Sequence, residues 1–213
     1  MTQAAVAEAV RQGIMGGDLA PGQRLVEAEL CAQLGASRGH VRAALVDLEY
    51  EGLVERIANR GARVRLASLR EALQIAEVRL EVENLCVARA AERISDAEMR
   101  ELRDSARRLQ EPRTLADVRG FARVANRIFA SCLRIAAQPV AEEVLLRLHA
   151  RNSGQRFRLL DQPGRTQIAA ASWLQLVEAI CSRQPDAAQR ALRELACSAQ
   201  EAMRSLPTEG SLT

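Results

Sequence analysis

The chain contains no lysine, and all thirty of its basic side chains are arginine. Each positive charge is therefore a planar, many-donor guanidinium suited to phosphate or carboxylate. Aromatic residues make up only 2% of the 213 positions, while 48% are hydrophobic. A core must then be built from Leu, Val, Ile and Ala, which favours helices over sandwiches. Two histidines leave little for a histidine-rich metal or catalytic centre. The five cysteines, at 31, 86, 132, 181 and 197, include no Cys-x-x-Cys pair. An odd, scattered set reads as reduced thiols acting as small buried hydrophobes. No run approaches the roughly 20 apolar residues that span a bilayer, and "MTQAAVAEAVRQGIMGG" has no apolar core of a secretion signal. A soluble, cytoplasmic protein with no membrane partner is expected. There is no glycine-rich phosphate loop, no Gly-x-Ser-x-Gly and no loop cluster of carboxylates. Glu81/Glu83 and Glu142/Glu143 read as solvated helical charge, so the chain is not expected to be an enzyme.

The length suits one large domain or two small ones. Net charge is +3, and residues 1–68 carry eight arginines against eight acids. Any interaction with nucleic acid must rest on where charges sit rather than on their sum.

Composition changes near residue 68. Before it, short segments alternate with Gly and Pro. Val6, Val10 and Ile14 share one helical face over 4–15, and "GGDLAPGQRL" ends that helix in a Pro-Gly turn. "VEAELCAQLG" is a second helix, with Leu30 and Leu34 inward and Gly35 as the stop. Ser37 then caps a third, whose buried stripe is Val41, Ala44, Leu45 and Leu48. After Gly52, "LVERIANRGARVRL" is a hairpin with Asn and Gly at its tip. Three helices and a hairpin make a winged helix. From Ser68 onward the pattern is helical: "SLRE" and "SDAE" are capping boxes, and helices are expected over about 69–93, 95–110, 114–137, 140–160, 166–183 and 186–205. The first carries Leu69, Leu73, Ala76, Leu80, Leu85 and Val87 near helical spacing. The fold class expected is mainly α, a winged helix-turn-helix followed by an antiparallel helical bundle. The domains are 1–67 and 68–206, with 207–213 a frayed tail.

In a helix-turn-helix the second helix enters the major groove. The stripe 41, 44, 45, 48 leaves Arg38, Gly39, His40 and Arg42 outward at the N-terminal end. Arg38 and Arg42 lie one turn apart and can pair with guanine or clamp phosphate. Gly39 lets the backbone approach DNA, and Ser37 can reach a phosphate. Arg56, Arg60, Arg63 and Arg65 put positive charge on the hairpin, with no acid between 56 and 65.

These segments, from "GDLAPGQRL" through "LVEAELC", "SRGHVRAAL" and "EGLV" to the "RG" of the wing, resemble the DNA-binding domain of the GntR family of bacterial transcription regulators. The resemblance implies that Arg38 and Arg42 contact bases and phosphates, with Ser37, Gly39 and His40 beside them and Arg60 and Gly61 at the wing tip. Ala28 replaces an arginine that touches DNA in some members, so operator preference is expected to differ. The implied partner is double-stranded operator DNA, read by a homodimer.

The helical half resembles the effector-binding FCD domain of the FadR subfamily. "EVRLEVENLCVARAA" matches its first helix, with Arg79 and Glu83 at the motif's Arg and Glu. Many such domains hold a metal with one Asp and three His. Here those positions fall on Asn126, Ala130, Trp173 and Leu195. Asn is a poor ligand and the others are none, so no metal and no cofactor is expected. His149 reads as a packing or surface residue. Without a metal, an organic acid or acyl-type effector would need another anchor. Arg79 is the first candidate, with Arg123, Arg127 and Arg134 on the helix of the lost ligands, and Asn126, Ala130, Trp173 and Leu195 lining the site. The function expected is an effector-controlled regulator, most simply a repressor. The alternative is a dimeric regulator or adaptor whose cavity is filled and which answers to no small molecule.

Overall fold

Helix α1 (Gln3–Gly16) starts at Thr2, whose hydroxyl accepts from the Ala5 amide, and turns Val6, Val10 and Ile14 inward. The structure, a computed structural model, describes residues 1–57 and 61–206. By its internal contacts it divides into two units. The first holds Met1–Ser68 together with Arg147–Gln155, and the second holds Leu69–Leu146 and the residues from Arg156 onward.

In the first unit, α1 is followed by β1 (Arg24–Leu25), α2 (Glu27–Leu34), α3 (Arg38–Tyr50), β2 (Val54–Ile57) and β3 (Gly61–Val64). Gly35 and Gly52 end α2 and α3 with φ of 59° and 75°, a conformation that only glycine adopts without strain. Strand β3 is central: it pairs antiparallel with β2, Val54 opposite Val64, and with β1, Leu25 opposite Ala62. The hairpin was legible from the sequence, but β1 was not, because two residues are too few to show a period. The stripe Val41, Ala44, Leu45 and Leu48 is buried as its spacing requires. It packs on α1 and on Leu25, Leu53, Val54, Ala62 and Val64. Ala150, from the second stretch of this unit, completes that core. Residues 150–155 are fitted closely to the rest of the unit. Gln155 Nε2 donates to the Ala67 carbonyl at 2.7 Å, and a Cβ on Gly154 would lie 2.8 Å from Leu66.

The second unit is all helix among the described residues. It comprises α4 (Leu69–Arg93), α5 (Asp96–Leu109), α6 (Pro112–Ala116), α7 (Val118–Ala136), the start of α8 (Pro139–Arg151), the end of α9 (Ser153–Leu160), α10 (Arg165–Cys181) and α11 (Pro185–Arg204). Helix α4 packs on α11 and α7, and α10 packs on α11 and α5. The core follows the composition: Leu102, Leu109, Ile128, Leu176 and Ile180 are buried, joined by the aromatics Phe121 and Phe129. Each such side chain contributes roughly 1.5–3 kcal/mol. The capping box at Ser95 and Glu98 is formed.

Three details differ from the sequence reading. The helix expected over 114–137 is broken at Asp117, whose extended backbone (φ −112°, ψ 98°) both ends α6 and starts α7. The helix expected over 140–160 is broken at Asn152, between α8 and α9. Leu85, one of the apolar residues near helical spacing on α4, is exposed, whereas Ala72, Ile75, Cys86, Val87, Ala90 and Ala91 are buried. No helix among the described residues is long and apolar enough to cross a membrane.

Candidate nucleic-acid interface and effector region

Helix α3 presents its N-terminus to solvent. Ser37 caps it, its Oγ accepting from the His40 amide at 3.3 Å. Ser37, Arg38, Gly39, His40 and Arg42 are all exposed while the next apolar position on the helix, Val41, is fully buried. The helix is thus held from behind and leaves its first turn open. Arg42 is not loose: Nε and Nη2 donate to the two oxygens of Glu27 on α2, at 3.2 and 3.0 Å. That fork raises the pKa of Arg42. It holds Glu27 below the usual carboxylate range, with Arg56 and Arg38 adding attraction. Arg38 makes no hydrogen bond or ion pair among the described residues. His40 Nδ1 lies 2.9 Å from the Met1 carbonyl oxygen.

The wing is less positive than the spacing of its arginines implies. Arg63 pairs with Glu55 across the β2–β3 ladder at 2.5 Å, and Arg56 pairs with Glu49 of α3 at 3.1 Å. Both acids lie outside the 56–65 window. Gly61 opens β3 with φ 88°. Arg60 lies outside the described residues. Sequence reasoning quoted Glu27 within "LVEAELC" but missed its partnership with Arg42, because a pairing between helices leaves no local periodicity.

In the second unit, Arg79 and Glu83 form a fork one turn apart on α4. Nη2 and Nε of Arg79 donate to Glu83 Oε1 at 2.5 and 3.1 Å, and the guanidinium lies 5.9 Å from the centre of the Phe129 ring. Asn126 accepts from Arg156 Nη1 at 2.5 Å. Arg156 in turn stacks 5.4 Å from the Phe157 ring. Burial first, and then the nearby charge of Arg79, push its pKa down to about 9. Trp173 is half-buried between two apolar clusters, and Leu195 packs on the larger of them. Ala130 lies on the exposed side of α7 with Arg123, Arg127 and Arg134. Arg123 pairs there with Asp117 and Arg134 with Glu98, so these three arginines are surface residues. His149 is buried and belongs to the first unit. Arg156 is a residue the sequence did not single out: among thirty arginines nothing local marks the one that meets Asn126.

The residues at the metal positions do not fit a metal. Asn126 already accepts from a guanidinium, and Ala130, Trp173 and Leu195 offer no donor. Among the described residues, no three His, Cys, Asp or Glu side chains gather as a metal would require.

A winged helix with an open, arginine-bearing recognition helix, joined to a helical unit, defines a bacterial-type transcriptional regulator. Residues 2–64 match the family model "Bacterial regulatory proteins, gntR family", and residues 74–196 match the FCD domain. The chain belongs to the GntR family of transcriptional regulators, in the FadR-type branch that carries an FCD domain. Over 84 residues it is 38% identical to the Nta operon transcriptional regulator of Aminobacter aminovorans, a match covering 39% of this chain and 40% of that protein. It is 23% identical over 202 residues to the HTH-type transcriptional repressor RspR of Escherichia coli K12, covering 95% and 89%. Escherichia coli McbR/YncC has the same fold, with a TM-score of 0.85 at 21% identity over 95% of this chain and 96% of that one. A putative GntR regulator from Rhodococcus sp. RHA1 has a TM-score of 0.78 at 20% identity, covering 96% and 99%.

Proposed function

We propose that the protein is a homodimeric repressor whose two heads read a two-fold symmetric operator and whose affinity for it is set by a small anionic effector held without a metal. The observation that carries the reading of the head is the open first turn of α3. Arg38 and Arg42 contact bases and phosphates there, helped by Ser37, Gly39 and His40, with Arg60 and Gly61 at the wing tip. The domain limits follow as 1–67 for the head and 68–206 for the helical part, residues 147–155 of which are built into the head's core. The dimer face lies on α4 and α8. Cys86 of α4 and Ala141 and Leu145 of α8 share an apolar cluster with Phe129 and Leu133 of α7, and α4 and α8 expose Val78, Leu85, Val140 and Val144. The protein works in the cytoplasm and has no catalytic role.

The effector group is Arg79, Asn126, Arg156, Trp173 and Leu195. Two guanidiniums, aromatic faces and an amide suit a carboxylate with an apolar body, a small organic acid or an acyl-type molecule. Binding it would change operator affinity by a coupling of ~1–3 kcal/mol. A second reading is favoured by the packing of Trp173 against two clusters: the interior is filled, and the protein regulates or adapts without a small molecule.

A gel shift on the DNA beside the protein's own gene tests the first step. Sequence-dependent binding that weakens steeply with salt is expected; no binding even at low salt leaves the adaptor. A screen of organic acids, read by Trp173 fluorescence, separates the open from the filled interior. Zinc, nickel or manganese is expected to leave the melting temperature unchanged.

A further inference from the structure

Arg165 is the first residue of α10, and it is buried, with 7% of its surface exposed. Its Nη1 donates to Ser198 Oγ on α11 at 3.0 Å. Its Nε is shut off from solvent and meets no acceptor among the described residues. The next residue, Thr166, donates through its hydroxyl to the Leu115 carbonyl at 2.8 Å, which fixes the first turn of α10 against α6.

Three unfavourable placements coincide here. A guanidinium is taken out of water, and that burial lowers its pKa with no neighbouring acid to offset it. It stands at the N-terminus of a 17-residue helix, the positive end of the helix dipole, where a cation is repelled. The cap residue is Gly164, which supplies no side-chain acceptor to the first-turn amides. Arg79 of α4, which is only partly buried, has Glu83 beside it; among the described residues Arg165 of α10 has one neutral hydroxyl. A bound anion would reverse all three, accepting from the guanidinium, the hydroxyl and the helix amides together.

We propose that Arg165, Ser198 and the N-terminus of α10 form a receptor for a small oxyanion, a carboxylate or a phosphate group. Neither Arg165 nor Ser198 belongs to the Arg79–Arg156 group, and the proposal depends on neither the operator nor the effector reading, because it is tested on the whole protein without DNA and by variants at these two positions.

The test is thermal unfolding, with calorimetric titration, of the full chain in sodium phosphate, acetate or citrate, against sodium chloride at matched ionic strength. One of the oxyanions is expected to raise the melting temperature by several degrees and to saturate at low-millimolar concentration or below. A response to phosphate alone assigns a phosphate ligand; a response to acetate or citrate alone assigns a carboxylate. Arg165→Met is expected to remove the response while melting no lower than the wild type in chloride, since the buried charge has gone. Ser198→Ala is expected to keep the fold and weaken the oxyanion several-fold. No oxyanion response beyond chloride would overturn the proposal, as would a full response in either variant. So would an Arg165→Met protein that melts well below the wild type in chloride, for then the arginine is a structural prop.

Discussion

Arg42, in the first unit, keeps 67% of its side-chain surface in water, while Arg79, in the second, keeps 17%. Both make a forked pair with one glutamate. The difference in medium gives the two pairs different work. In water the pair to Glu27 is weak and exchangeable, so Arg42 can be held in position and still be handed to a phosphate. Out of water, the pair to Glu83 is part of the interior, and losing either partner strands a charge. Arg156, beside Asn126, belongs with the second case, and Arg38, with no hydrogen-bond or ion-pair partner among the described residues, with the first. In a chain whose cations are all arginine, burial separates them: some stand in water, as Arg38 and Arg42 do, and others lie against aromatic rings, as Arg79 and Arg156 do.

That contrast can be broken from either side. Glu83→Ala should do the most damage to stability, about 3–5 kcal/mol, because it leaves Arg79 uncompensated in the interior; chemical unfolding measures it, and a loss below about 1 kcal/mol would mean the pair is effectively solvated. Arg38→Ala and Arg42→Ala should act on binding alone, reducing specific operator affinity roughly ten- to hundredfold at unchanged melting temperature. Ser37→Ala should cost roughly 1 kcal/mol of head stability through the lost cap, and more in binding if the hydroxyl also meets a phosphate. Glu27→Gln should be the mildest: no measurable change in melting, with operator affinity altered through the freed Arg42. A drop in melting as large as that of Glu83→Ala would erase the distinction between the units.

The thiols allow a chemical version of the same comparison. Burial pushes Cys132 up to about 12 and Cys86 to about 11, whereas Cys197 is exposed. Both buried thiols have folded values above their ordinary ones. Their protonated state therefore supports the fold below about pH 9, and that support is lost as pH rises toward 11–12. At pH 8 an alkylating reagent should modify Cys197 long before Cys86 or Cys132, as peptide mass analysis would show.

What could be read in the sequence was what repeats at short range. The stripe of α3, the glycine stops, the hairpin and the Ser95 capping box all declare themselves within a few residues. Relationships across the chain did not. Glu27 reaches Arg42 from another helix, Glu49 and Glu55 neutralise wing arginines from outside residues 56–65, and Arg156 meets Asn126 thirty positions away. The breaks at Asp117 and Asn152 escaped because neither residue is a strong helix breaker. The metal positions were legible as an alignment of residue types, yet the guanidinium that meets Asn126 there became visible only in the structure.

Residues 147–155 carry a consequence for how such regulators could be recombined. The first unit is not one uninterrupted stretch: the chain leaves it after Ser68, returns at Arg147 and leaves again after Gln155. A chimera that grafts only the first 68 residues onto a foreign sensor would arrive without Ala150 in its core and without the amide that satisfies the Ala67 carbonyl. For this protein the transferable cassette is two pieces of chain, and swapping by a single cut would carry the reading surface across while leaving part of its foundation behind.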